Sequence, residues 1–157
     1  MDFNKLDFKQ FSPNYESYLD EINSDKSVSE FVTFSKSDSR FIFYEDDFVG
    51  CFKTMLIDDD LPDREIYIGL IKKYRGKGIA KYVINKLSNN IFESDNACEY
   101  IHLSIDKENL ASINMAKSCG FIENTDLENE LREYGDDKTL VFSIKNPYLE
   151  KEKDIIL

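Results

Sequence analysis

Six consecutive residues, Arg75-Gly76-Lys77-Gly78-Ile79-Ala80, have the make-up of an anion cradle. Glycines let a backbone turn tightly and bring its N–H groups close to a ligand. A helix opening at the end of such a turn adds its first-turn N–H groups and its dipole. Lys72, Lys73, Arg75, Lys77, Lys81 and Lys86 place six positive charges within residues 66–92, a stretch with no Asp or Glu. Two well-known phosphate signatures are excluded by the letters. No Gly-x4-Gly-Lys-Ser/Thr string occurs, and the third glycine of the dinucleotide fingerprint would fall at Lys81.

The turn needs a strand before it and a helix after it. Residues 65–71 read as that strand, and Ala80, Val83, Ile84, Leu87 and Ile91 recur at the spacing of one buried helix face. Upstream, Ser12-Pro13 reads as a helix start and Tyr15, Tyr18, Leu19 and Ile22 follow at helical spacing; Ser27 and Glu30 suggest a capping box for a second short helix. Residues 1–36 are thus expected to be helical. Residues 40–57, interrupted by Asp46-Asp47, read as a hairpin. Residues 100–105 and 138–144 read as strands, Phe121-Ile122 as the start of another, and 109–118 as a helix ended by Gly120. Alternation of this kind implies one α/β domain over residues 1–157 with a mixed sheet, and residues 146–157 read as a polar tail.

Composition narrows the function. The net charge of −11 opposes nucleic acid and anionic membranes as partners, and the six positive charges of the basic stretch leave −17 on the rest of the chain, which favours a cationic partner. No signal-like segment or run of about 18 apolar residues is present, which points to the cytoplasm. Cys51, Cys98 and Cys119 are odd in number and lack C-x-x-C spacing, and His102 is the single histidine, so neither a disulfide framework nor a metal site is expected.

Arg75, Gly78 and Ala80 satisfy the pattern Arg/Gln-x-x-Gly-x-Gly/Ala, and the turn lies between a hydrophobic strand and an amphipathic helix. Downstream come Asn109-Leu110-Ala111-Ser112 and Lys117-Ser118-Cys119-Gly120-Phe121. The two segments, in this order, resemble motif A and the following N-x-x-S and K-x-x-G-F pattern of the GNAT superfamily of N-acetyltransferases, in its ribosomal-protein and polyamine acetyltransferase branch. The resemblance spans about residues 40–144. It implies a mixed, mostly antiparallel sheet flanked by helices, with a splayed parallel strand pair at the cofactor site.

The resemblance also implies acetyl-CoA as donor, with no metal, and a small-molecule or peptide amine as acceptor; a homodimer is left open. Leu70 and Ile71 would offer backbone groups to the pantetheine arm, and an N–H of one of them would stabilise the oxyanion. Arg75, Gly76, Lys77, Gly78, Ile79 and Ala80 would hold the pyrophosphate, and Asn109 would lie near the pantetheine or the 3′-phosphate end. An alkyl ammonium has a pKa of about 10, so attack at neutral pH needs a proton acceptor. Glu65, at the head of the motif strand, is the first choice and His102, which shares a sheet face with Ser104, the second. Ser112 would contact the thiol region or simply pack in the first turn of its helix. Many members carry a Tyr four residues before the Gly-Phe pair to protonate the leaving thiolate; that position is Ala116 here, and Tyr134 or water would substitute. The competing readings are a binding module that kept the turn but lost turnover, supported by Ala116, and an interaction domain whose basic helix is merely solvated.

Overall fold

Glu45 and Asp46 both adopt left-handed backbone, with φ of 47° and 69°, and close the hairpin around which the first half of the chain is built. Two such residues in succession match the twist of the flanking strands. In the computed structural model, which describes residues 1–149, the elements are β1 (Leu6–Gln10), α1 (Glu16–Ser24), α2 (Lys26–Ser29), β2 (Arg40–Tyr44), β3 (Asp47–Asp58), β4 (Leu61–Leu70), α3 (Ile79–Ser94), β5 (Tyr100–Asp106), α4 (Leu110–Ser118), β6 (Ile122–Glu123), α5 (Thr125–Glu133) and β7 (Thr139–Lys145). They form a seven-stranded mixed sheet of order β1-β2-β3-β4-β5-β7-β6, with β4 and β5 parallel. The expected α/β architecture is present.

The chain divides into two compact units, Met1–Thr54 with Ile66–Tyr82, and Met55–Glu65 with the residues from Val83 on. In the first, the N-terminal region is not wholly helical. Residues 6–10 pair antiparallel with β2, from Leu6↔Tyr44 to Gln10↔Arg40. The helices behind them start a little differently from the sequence reading. Ser12 precedes a 3-10 turn, Pro13–Tyr15, and α2 is capped by Asp25, whose carboxylate accepts from Ser27 N at 3.0 Å, not by a Ser27–Glu30 box. The core of this unit gathers Leu19, Ile22, Val28, Phe34, Phe41, Phe43, Phe48 and Cys51, with Tyr18 stacked on Phe48 at 4.7 Å. Its aromatic content explains how α1, about two and a half turns long, is held: packing rather than propensity fixes so short a helix.

In the second unit β5 pairs along its whole length with β7, from Tyr100↔Lys145 to Asp106↔Thr139, and with β4 at Arg64↔Ile101 and Glu65↔His102. Asn109 caps α4 by accepting from Ser112 N at 3.2 Å, and Gly120, at φ 87°, ends it. α5 was not anticipated. Asn124 caps it, and the buried Glu128 carboxylate accepts the backbone N–H of Val141 in β7 at 3.0 Å. The stretch expected as a tail begins with Asn146, which is fully buried, donates to the Cys98 carbonyl at 2.9 Å and accepts from Tyr148 N at 2.9 Å. Residues 150–157 of that stretch lie outside the described residues.

Candidate active site

The end of β4 is set by close approaches. Gly69 has no room for a side chain, since an added Cβ would meet Val28 Cγ1 at 2.7 Å and Phe34 Cε2 at 3.0 Å. The next two residues, Leu70 and Ile71, were expected to offer backbone groups, and their partners differ. Ile71 donates its N–H to the Val49 carbonyl of β3 at 2.9 Å. The N–H and C=O of one strand residue face the same edge and successive residues alternate, so with Ile71 facing β3 the Leu70 N–H and C=O lie on the other edge. The Leu70 carbonyl accepts from Arg75 Nε at 3.0 Å.

A short 3-10 turn, Lys72–Tyr74, then leads into the glycine turn. Tyr74 is buried and its hydroxyl bonds to Asp47, which also pairs with Lys73 at 2.6 Å; burial and that carboxylate push the Tyr74 phenol up to about 12. Gly76 and Gly78 have φ of 73° and 83°, values that L side chains adopt at a cost, which is why glycine stands at both positions. Around Gly76 an added Cβ would meet nothing within 4 Å; at Gly78 it would meet only the Phe3 ring, at 3.4 Å, a ring stacked on Tyr82 at 4.9 Å. Ile79 is buried and anchors the start of α3, where Tyr82 N–H bonds to the Gly78 carbonyl at 3.1 Å. The earlier N–H groups, around Ile79 and Ala80, therefore lie at the open helix start. Lys77 is exposed and has no ion-pair partner among the described residues, whereas Arg75 pairs with Asp25 at 2.8 Å. An open, glycine-lined helix start with an unpaired lysine fits a pyrophosphate.

The proton-transfer candidates lie in the second unit. Glu65 is half-buried and its Oε1 is buried without a hydrogen-bond partner. His102, its register partner on β5, is buried, with both ring nitrogens facing polar atoms. Its Nδ1 lies 2.6 Å from Ser143 Oγ and its Nε2 3.6 Å from Asp63 Oδ2. Asn124 Nδ2 also donates to Ser143 Oγ at 3.0 Å, and in the tautomer in which Ser143 donates to Nδ1 the Nε2–H faces Asp63. Asp63 in turn accepts from the backbone N–H groups of Glu99 and Tyr100. Sequence reasoning named His102 but neither Asp63 nor Ser143; alternation along β4 and β7 was the available signal.

Ser112 is half-buried in the first turn of α4. Asn109 commits its carbonyl oxygen to capping α4. Tyr134 caps the end of α5 with its side chain 90% exposed, and Ala116 is fully buried, with its carbonyl accepting from Phe121 N. Burial pushes the Cys51 thiol up to about 12 and the Cys98 thiol to about 11, well away from the thiolate range. Among the described residues no group of three or more His, Cys, Asp or Glu side chains is placed to hold a metal, and no helix is long and apolar enough to cross a membrane.

A parallel strand pair inside a mixed sheet, with a glycine turn leading from β4 into a helix, defines an α/β protein whose turn has the make-up of an anion site. The acetyltransferase (GNAT) family model matches residues 2–121, and the chain belongs to that family of acetyltransferases, which use acetyl-CoA. No curated protein matches the sequence significantly. Among solved structures, the chain is similar to a GNAT-family acetyltransferase from Bacillus anthracis, at 14% identity over 90% of this chain and 95% of that one, with a TM-score of 0.71. A spermidine N-acetyltransferase from Vibrio cholerae, in complex with CoA and spermine, aligns at 15% identity over 91% and 96%, with a TM-score of 0.67. A ribosomal-protein alpha-N-acetyltransferase in complex with coenzyme A aligns at 13% over 90% and 94%, also with a TM-score of 0.67.

Proposed function

We propose that this acetyltransferase transfers the acetyl group of acetyl-CoA to a primary amine, on a small cationic molecule or a protein N-terminus, by direct attack on the thioester. The observation that carries the reading is the open turn at Gly76 and Gly78, with room for a ligand above Gly76. Acetyl-CoA supplies an activated acyl carbon and a good leaving thiolate. Gly76, Lys77, Gly78, Ile79 and Ala80 hold its pyrophosphate, and Asn109 offers its free amide to another part of the cofactor. The Leu70 N–H is the oxyanion donor, because the Ile71 N–H is committed to Val49. Glu65, with a buried oxygen free to accept, takes the proton from the ammonium, and His102 positions the sheet around it rather than acting as base. With Tyr134 exposed and position 116 inside the core, water protonates the thiolate; Ser112 is kept for a contact in the thiol region.

The acceptor class rests on the charge distribution, −17 outside the basic stretch, and on the relatives named for spermidine and a ribosomal-protein N-terminus. A single domain working in the cytoplasm, alone or as a homodimer, is the setting this chemistry suits. The test joins thermal stabilisation by acetyl-CoA to thiol release over a panel of polyamines, aminoglycosides, amino acids and peptide N-termini. Stabilisation with thiol release for one acceptor class is expected. Stabilisation without release for any amine leaves a cofactor-binding module, the reading that the buried Ala116 favours, and no stabilisation by coenzyme A overturns both.

A further inference from the structure

Arg75 is the one cation of the turn that two groups already hold. Its Nη2 donates to Asp25 Oδ2 at 2.8 Å and its Nε to the Leu70 carbonyl at 3.0 Å. Asp25 is itself fixed, since its other oxygen accepts from Ser27 N at 3.0 Å and Ser27 Oγ at 2.6 Å while capping α2. The bridge runs from α2, through one carboxylate and one guanidinium, to the last peptide of β4. That peptide carbonyl belongs to the same residue, and faces the same edge, as the Leu70 N–H. On either side, Gly69 has no room for a side chain beside Val28 and Phe34, and Ile71 is bonded to Val49. Between them the Leu70 carbonyl is held by the planar, forked guanidinium.

We infer that Arg75 and Asp25 are positioning residues for the oxyanion donor, and that Arg75 is not a phosphate ligand. Asp25 neutralises the Arg75 charge and turns the guanidinium toward Leu70, so the pyrophosphate is left to the backbone of the glycine turn and to Lys77. The inference rests on the proposed acetyl transfer and concerns how its donor half is aligned. It explains why a position that many readings of the turn would assign to phosphate recognition carries a carboxylate partner from a helix fifty residues upstream.

The experiment uses the full chain, with Arg75→Lys, which keeps the charge but loses the Nε–H and the fork, and with Asp25→Asn. Three quantities are read: kcat for thiol release with the best acceptor of the panel, the affinity for coenzyme A and for adenosine 3′,5′-bisphosphate, and the carbonyl stretch of bound acetyl-CoA. A fall in kcat of at least about tenfold is expected in both variants, since small losses of alignment are costly in acyl transfer. Coenzyme and bisphosphate affinities should stay within about twofold, and the stretch should move back toward its value in free acetyl-CoA, reporting a weaker hydrogen bond from Leu70. Tighter binding of coenzyme A by Asp25→Asn, or a large loss of affinity in Arg75→Lys with the carbonyl stretch unchanged, overturns the inference and makes Arg75 a phosphate ligand. The carbonyl stretch needs no acceptor, so a wild-type protein that turns over no amine would sink the proposed function while this alignment is still tested.

Discussion

Gly50 and Gly69 approach so closely that a Cβ built on Gly50 would stand 2.1 Å from the Gly69 carbonyl oxygen. Neither side can give way cheaply, because the atoms such a Cβ meets, Gly69 O and C and Leu70 Cα, are all backbone. Gly50→Ala should therefore destabilise the fold by about 1–3 kcal/mol, the usual range for overfilling a packed site. At this chain length that corresponds to a fall in Tm of about 2–4 °C per kcal/mol. Since Leu70 follows Gly69 directly, thiol release should fall more than stability alone requires. A melt paired with an activity assay at a temperature where both proteins are folded checks it, and unchanged activity there would uncouple Gly69 from the site.

The two glycines of the turn should respond to substitution for a different reason. At Gly76 there is open space, so Gly76→Ala adds no clash and isolates the left-handed backbone, at a cost of about 1–2 kcal/mol. Gly78→Val combines the same backbone strain with β-branching and contact with Phe3, and its side chain stands where the proposed pyrophosphate site lies. Acetyl-CoA should still raise the Tm of Gly76→Ala by a reduced amount and should fail to raise that of Gly78→Val. Equal stabilisation of both variants and the wild type would remove the turn from the cofactor site.

The parts of the molecule legible in the sequence are those set by local chemistry. α3 was marked by the spacing of Ala80, Val83, Ile84, Leu87 and Ile91, and the start of α4 by Asn109, which does cap it. The hairpin was legible but its turn was displaced by one residue, because Glu45 carries a positive φ that its residue type does not advertise. β1 and α5 were not legible. Leu6 and Phe8 give only two steps of alternation, and the strand exists because β2 offers an edge; α5 has Leu127 and Leu131 among acids, and its anchor is the bond from Glu128 to a strand that comes later in the chain. The turn was readable for the same reason as α3, whereas the commitment of the Ile71 N–H to Val49, and of Arg75 to Asp25, depends on tertiary neighbours that no local pattern encodes.

Glu128 gives the stability a pH dependence of definite sign. Burial, with the Glu123 carboxyl beside it, holds the Glu128 carboxyl above the usual carboxylate range despite the Val141 N–H that it accepts. A raised pKa in the folded state means that the folded protein holds this proton more tightly than the unfolded chain. The contribution to stability is thus fully present below the unfolded value, about 4.3, and is lost as pH rises through the folded one. Glu128→Gln keeps an acceptor for Val141 and removes the buried charge. Its Tm should exceed that of the wild type at pH 7, and the difference should close on acidification to about pH 4. A difference that grows on acidification would mean that the ionised form is the one the fold favours.

Glu65 is the residue on which the proposed acid–base chemistry turns. Its buried oxygen without a partner is costly to maintain in a structural carboxylate, and it lies in register with His102, whose Nδ1 is bonded to Ser143 and whose Nε2 faces Asp63. Glu65→Gln keeps the shape and removes the proton acceptor, and kcat/KM for an alkylamine acceptor should fall by about 10²–10⁴-fold at pH 7. The loss should shrink as pH climbs toward the pKa of the amine, about 10, because free amine then reaches the site without help. His102→Gln, by contrast, should lower Tm by breaking the Ser143 and Asp63 contacts while leaving the shape of the pH–rate profile unchanged. If instead Glu65→Gln runs parallel to the wild type from about pH 6 to 10 and His102→Gln bends the profile, the base is the histidine and the Glu65 oxygen is only a strained part of the sheet.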